Sequence, residues 1–531
     1  MPPTPGRASS LRSLLLLAVV AVALIGPHVG RRVIASSDEA RFPLLARDML
    51  ERGTWFEAYV REKQYRNKPP LLPWAIAGLS REPHGITGTT AQAPVAVAAV
   101  VTVLFTFLMG EALFARRAAV WAALVLLTSF GFFGHSHRVL PDMLVACFAT
   151  ASGWAFARAT IASPAPARRW IVVFWIAIGL ATFAKGPLGV VPVLVAAIWL
   201  WLEGGPAALR RLASPLGLAA FAAITAAWVV PFLMLGGQSF AGRVVWGNWL
   251  TWFLGVPRPA GVANFLLDAL EGFLPWSFLV PVVARPAAAA WRDRAVKLAL
   301  LWSLVPLTMM ALSANPMERY SLAAFPGAAL VVGWWADRHG AATTRAGGVA
   351  AWIVLGLTVA AAVVGVAGAP RFDLDWVPGD RLLALPLGFA LAAVGASIFV
   401  GLRHGRPRVL VVGTVTAMLL GLSYGMWSAA DRFNVRNDFP AVAAMLERHA
   451  HGGESRVLGG RYFQVELYLG RSLPRLWTVE ELNEFVLRPG RPVVLADERA
   501  WSSVKDHVPP GVKVLDRIVV RRRELLVIGA R

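Results

Sequence analysis

"LRSLLLLAVVAVALIGPHV", residues 11–29, is followed after a short gap by "SSDEARFPLLARDMLERG", residues 36–53. The first stretch is long and apolar enough to cross a bilayer, whose hydrocarbon core takes about 20 predominantly apolar residues as a helix. The second opens on two carboxylates, Asp38 and Glu39, and continues half apolar and half charged. Stretches of the first kind recur at 89–111, 117–134, 139–161, 169–184, 187–203, 212–235, 262–284, 296–312, 320–336, 348–368, 382–402 and 409–428. The reading is an all-α polytopic membrane bundle of roughly thirteen transmembrane helices.

Composition agrees. The chain has 531 residues, of which 57% are hydrophobic and only 16% charged, a balance foreign to soluble domains. Its net charge of +21 would suit a nucleic-acid binder, but the basic residues are scattered through short loops rather than gathered on one face. Arg116-Arg117, Arg168-Arg169, Arg210-Arg211, Arg292 with Arg294, and Arg403, Arg406 and Arg408 fall in alternate loops, which is the positive-inside pattern. With Arg7 and Arg12 inside, parity puts residues 30–88, 134–138, 185–187, 236–261, 313–319, 369–381 and the C-terminus outside. The first apolar run reads as a retained anchor rather than a cleaved leader, because no small-residue cleavage site precedes the acids. The lone cysteine, Cys147, sits in an apolar span, so no disulfide forms within one chain.

From about residue 431 the character changes. Short β-like runs, "RVLGG", "VELYLG", "PVVLADE" and "VKVLDRIVVRRRELLVIGA", mix with the helical "FPAVAAMLERHA". Residues 431–531 therefore read as a small α/β extracytoplasmic domain, and 1–430 as the membrane domain with loop helices at 36–80.

The outer loops hold the unusual residues. In 39–52 the residues Phe42, Leu45, Ala46, Met49 and Leu50 make one helical stripe, with Gly53 as a stop and Pro43 placing the start just before it. Such a helix would lie on the membrane surface with its acids at the N-terminal lip. It is either an interfacial brace capped by those acids or a support that presents a carboxylate. Asp142 in "HSHRVLPDMLV" is a second acid near an outer mouth, four residues after Arg138 and thus in reach of a helical ion pair. Lys68, Lys185, Arg243 and Arg319-Tyr320 add cations at the same side. Singly, such cations are most often interface residues; together with two acids they suit an anionic headgroup beside a general base. His135 and His137 near Asp142 leave a divalent metal as an option, although no cofactor is demanded.

These segments resemble the membrane glycosyltransferases that use a polyprenyl-phosphate sugar donor, in particular the bacterial family transferring aminoarabinose to lipid A and the related protein mannosyltransferases. The resemblance runs through Asp38-Glu39-Ala40-Arg41 with Met49, Gly53-Thr54-Trp55, Tyr65, Lys68-Pro69-Pro70-Leu71 with Trp74, Asp142, "AKGPLG" at 184–189, "LPWS" at 274–277 and "ERYSLAAFP" at 318–326. It implies a C-type glycosyltransferase fold with an outward cavity, in the bacterial inner membrane. There a lipid-linked sugar meets an envelope acceptor such as lipid A, another glycan or a protein. Asp38 matches the first catalytic acid and Asp142 the second, and Lys68 the lysine on the donor phosphate. Glu39, Arg41, Tyr65, Arg138, Lys185, Arg243, Arg319 and Tyr320 complete the expected substrate-binding set. Asn67 departs from the glutamate common before that lysine, and the 236–261 loop keeps little beyond Arg243, Trp246 and Asn248. The competing reading is a lipid or polymer transporter with the same outward cavity, which would favour inverted repeats and broken helices.

Overall fold

The computed structural model describes residues 7–56, 59–60, 63–65, 68–162, 168–236, 247, 256, 258–338, 345–368, 380–490 and 492–530. The chain forms two compact units. One holds Met1–Val29, Arg66–Leu72 and Ala93–Ser428, and the other Gly30–Tyr65, Pro73–Gln92 and Ala429–Arg531.

The first unit is helical. Among the described residues of the whole chain, eight helical segments are long and apolar enough to cross a membrane, or nine if Pro259–Gly272 and Trp276–Ala289, bent by 101°, make one span. Two apolar runs read as spans fall short of that test by length: the helices Arg116–Leu127 and Phe325–Arg338 have only 12 and 14 residues. They are nonetheless core elements, and glycine is what lets them approach. A Cβ on Gly333 would lie 2.5 Å from the Ala118 carbonyl oxygen and 2.8 Å from the Ala122 nitrogen. Small residues at such crossings bring backbones into contact where lipid gives no hydrophobic drive.

The second unit carries the β structure. A two-stranded hairpin, β1 (Tyr59–Val60) with β2 (Lys63–Gln64), precedes a five-stranded sheet of β3 (Ser455–Leu458), β4 (Arg475–Leu476), β5 (Val493–Asp497), β6 (Val512–Val520) and β7 (Arg523–Ala530), ordered β4-β3-β5-β7-β6. β3 runs parallel to β4 and β5, while β7 is antiparallel to β5 and β6, with Leu495 opposite Val527. The period-2 alternation of the strands divides the core in two. Val493, Leu495, Leu525 and Val527 pack under the helix Phe439–Ala450, and Val494, Ala496, Leu526 and Ile528 pack under Val479–Val486. One expected strand is a helix: "VELYLG" lies in Phe463–Leu469, closed by Gly470 in the left-handed region. A short apolar run bears no period that separates strand from helix, and here five successive residues, Phe463 to Leu467, are all buried.

Residues 30–65 and 73–92 fall in the same compact unit as this sheet. Arg47, itself buried, donates to the carbonyls of Glu466 and Leu467 at 3.1 and 2.8 Å. The Ile34 N–H donates to Tyr468 Oη at 2.7 Å, and Gln464 Nε2 to the Ala35 carbonyl at 2.9 Å. The amphipathic helix spans Ser37–Arg52, starting well before Pro43, and nine of its residues are buried in protein. Its apolar face thus finds protein rather than the membrane surface.

Candidate active site

In the helical unit, two helices end where their charges are favoured. Asp142 is the first residue of Asp142–Thr160, and Lys185 the last of Arg168–Lys185. A carboxylate at a helix N-terminus and an ammonium at a C-terminus both complement the macrodipole. Gly186, at φ 71°, turns the chain into the short helix Gly186–Val190, so "AKGPLG" holds Lys185 at the corner. There Lys185 Nζ forms a buried ion pair with Asp142 Oδ1. Arg319 Nε stands 3.8 Å from Asp142 Oδ2, and Lys185 Nζ lies 4.3 Å above the Tyr320 ring. Lys68 and Arg319 both act electrostatically on Lys185.

Three cations against one carboxylate leave a surplus of two positive charges (3 − 1) among these groups. Asp142, Lys185 and Arg319 line a cleft together with apolar side chains, Val145, Leu188, Val195, Trp302 and Met310 among them. Apolar walls beside surplus positive charge suit an anionic group joined to hydrocarbon.

The expected i, i+4 pair of Arg138 with Asp142 is absent. Pro141 is the N-cap of the helix that Asp142 begins, so the two residues never share a helical face. Arg138 instead meets Glu318 at 2.5 Å, with His135 Nε2 at 3.6 Å from the same oxygen. His135 Nδ1 lies 2.8 Å from the Gly131 carbonyl and His137 Nε2 3.0 Å from that of Ile25, which occupies both rings with backbone partners. Arg243, with Trp246, Asn248 and Asn67, lies outside the described residues.

In the second unit the paired acids separate into two roles. Ser36 is the N-cap: its Oγ accepts from the Glu39 N–H at 3.2 Å and donates to Glu39 Oε2 at 3.1 Å. This follows the S-x-x-E pattern of a capping box, whose signature stands in the sequence at 36–39 although the acids had been read as the caps. Glu39 is 4% exposed and pairs with Arg32. Asp38, by contrast, has a half-exposed side chain 3.4 Å from Arg41 Nη2. Arg41 Nη1 donates to Tyr65 Oη at 3.3 Å, and its guanidinium lies over the rings of Tyr65 at 5.3 Å and Phe463 at 5.8 Å. Burial pushes the Tyr65 hydroxyl above its ordinary value, against the pull of Arg41, so it stays a neutral hydrogen-bonding group. Arg32, Arg47 and Glu318 carry structure that residue type alone did not announce.

Comparison with known proteins follows this geometry. Residues 42–245 match the family described as dolichyl-phosphate-mannose-protein mannosyltransferase. An undecaprenyl phosphate-alpha-4-amino-4-deoxy-L-arabinose arabinosyl transferase from Pectobacterium atrosepticum is 24% identical over 395 residues, covering 70% of this chain and 68% of that one. The crystal structure of ArnT from Cupriavidus metallidurans bound to undecaprenyl phosphate superposes with a TM-score of 0.79 at 18% identity, over 97% of each chain. The oligosaccharyltransferase AglB from Archaeoglobus fulgidus shares the fold more distantly, with a TM-score of 0.54 and 12% identity over 92% of this chain and 69% of that one. In sequence over some two thirds of its length and in fold over nearly all of it, this chain is similar to membrane glycosyltransferases that use a polyprenyl-phosphate-linked sugar.

Proposed function

We propose that the protein moves an amino-sugar from an undecaprenyl-phosphate-type donor to an envelope acceptor, such as lipid A, another glycan or a protein, at the outer face of the bacterial inner membrane. The observation that carries this is the pair of cations Lys185 and Arg319 at Asp142 in an apolar-lined cleft, with Lys68 acting electrostatically on Lys185. The donor's phosphate sits at the cations and its hydrocarbon tail runs along the apolar walls. The acceptor oxygen attacks the anomeric carbon, the bond from that carbon to the phosphate oxygen breaks, and polyprenyl phosphate leaves with the electron pair. Negative charge grows on the phosphate oxygens as this happens, and fixed cations stabilise it most there. Tyr320 orients Lys185 by its ring face. Asp38 is the base that orients or deprotonates the acceptor, with Arg41 and Tyr65 holding its direction. Asp142 supports the sugar or acceptor from beside the cations. A transporter working through the same cleft is not favoured by the kinship of the chain.

The test is release of free polyprenyl phosphate by the purified protein from a labelled lipid-linked aminopentose. Release that depends on added lipid A supports the reading. A protein that binds the lipid and releases none refutes it.

In this arrangement the chain crosses the membrane thirteen times and the tail domain lies outside. Protease added to intact spheroplasts then clips near residue 430, and protection until lysis refutes that topology. Lys68→Met is expected to raise the donor KM about tenfold or more, as losing a charge-assisted contact to phosphate does, with folding unchanged. Lys68→Arg restores part of the loss, because charge returns with a different shape and hydration. An unchanged donor KM in the Met variant removes Lys68 from the site.

A further inference from the structure

The parallel strands of the sheet end in one row. β3 pairs with β4 through Val457 opposite Arg475 and with β5 through Val457 opposite Leu495. Two residues on, the same register aligns Trp477, Gly459 and Asp497 at the strand ends. After β3 the chain enters the helix Phe463–Leu469, which packs on the sheet face of Val457 and Leu495. After β4 and β5 it turns to the opposite face, where Val479–Val486 and the start of Glu498–Ser502 pack. Loops that leave neighbouring parallel strands for opposite faces part over the strand ends, and open α/β sheets bind ligands there.

We propose that this row is a saccharide-binding site, in which Trp477 stacks on a pyranose ring while Asp497 and Tyr462 accept hydrogen bonds from its hydroxyl or ammonium groups. It shares no residue with the transfer site. In the proposed reaction it holds the glycan of an acceptor, a use that rests on that reading although the binding itself does not.

Trp477 is 62% exposed even though the Arg475 guanidinium lies 4.0 Å from its ring centroid. With one face covered, the open surface is the other face and the ring edge. The backbone is held as well: the Trp477 N–H donates to Glu481 Oε2 at 2.7 Å, and Thr478 Oγ1 accepts from the Glu481 N–H at 3.2 Å. A ring fixed from behind and at its backbone loses little freedom when a ligand lies on it. Sugar rings suit such a face, because their C–H bonds carry partial positive charge and the aromatic face is negative.

The far side of the row supplies acceptors. Asp497 Oδ1 accepts from the Ala500 N–H at 2.8 Å, and Oδ2 from Tyr462 Oη at 2.9 Å. Burial, and then the Asp497 carboxylate, push the Tyr462 hydroxyl above its ordinary value, so it stays protonated and keeps donating to Asp497. The carboxylate and hydroxyl oxygens retain lone pairs, so a ligand must bring donors. A Cβ on Gly459 would lie 2.8 Å from Ala500 Cβ, and one on Gly460 2.8 Å from Tyr462 Oη. Glycine at both is what lets the tyrosine fold back to Asp497. Two strand spacings, about 9–10 Å, separate the Trp477 and Asp497 backbones, which leaves room for one sugar ring. A nucleotide would set its phosphates among the carboxylates of Asp497, Glu480 and Glu498, and those charges also oppose insertion of the ring into a bilayer.

The experiment titrates the full-length protein in detergent with a glucosamine disaccharide and with cellobiose, read by calorimetry. Trp477→Ala is expected to weaken both about tenfold or more, with the melting temperature nearly unchanged because the side chain is exposed. Trp477→Phe keeps much of the affinity, since an aromatic face remains. Asp497→Asn preserves the helix cap and is expected to weaken the glucosamine disaccharide about fivefold or more, and cellobiose less, because only the first loses an ammonium–carboxylate pair. No binding by the parent, or an unchanged constant in Trp477→Ala or Asp497→Asn, overturns the site. So does binding that Asp38→Asn abolishes and Trp477→Ala leaves intact, which puts the sugar at the transfer site and leaves that reading standing.

Discussion

Lys185→Met is expected to cost about 3–5 kcal/mol of stability, because it strips the partner from a buried carboxylate. The side chains of Lys185 and Asp142 are only 4% and 5% exposed, and the next cation, Arg319, stands 3.8 Å away rather than in contact. Asp142→Leu added to Lys185→Met should recover most of that loss, since a buried pair replaced by well-packed apolar groups is often neutral or stabilising. Catalysis should not recover with it. The double variant keeps an apolar cleft and loses one of the three cations assigned to the donor phosphate together with its acid. Thermal unfolding in detergent and transfer rate, measured on both variants, separate the roles. A double variant that melts like the parent and turns over within about threefold of it would make the pair purely structural.

Asp38→Asn should do the opposite: little to stability and much to rate. Ser36, not Asp38, caps the helix, so the change removes only a dipole interaction of about 0.3–1 kcal/mol and a half-exposed pair with Arg41 worth about 1 kcal/mol or less. If Asp38 orients or deprotonates the acceptor, the rate falls by about 10²–10⁴-fold, which is some 3–5 kcal/mol of barrier. Glu39→Gln supplies the contrast. It disturbs a buried capping box and the pair with Arg32, so the melting temperature should fall while transfer by the remaining folded protein persists. Were both variants to lose stability alike and keep their rates, the helix would be a brace and nothing more.

That the chain is mostly apolar helix with a small sheet near its C-terminus was legible from its letters. Long apolar runs, arginine pairs in alternate loops and the change of texture after residue 428 identify a membrane bundle and a mixed α/β tail without any contact being known. The same holds for the short acid-led helix at 37–52, because its stripe of Phe42, Leu45, Ala46 and Met49 is a local property. So is the capping box at 36–39, which a closer reading of spacing would have found.

Partners were not legible. Asp142 pairs with Lys185, 43 residues away, and not with Arg138 at helical spacing, since Pro141 breaks the helix between them and frees Arg138 for Glu318, 180 residues on. The run at 463–469 became a helix, and the amphipathic helix at 37–52 came to lie on it, through Arg47 reaching two carbonyls more than 400 residues away. Periodicity records which face of an element is apolar, and it is silent on what covers that face. A buried charge must likewise be neutralised by some group, but only the folded chain decides which cation comes near enough to offset its desolvation.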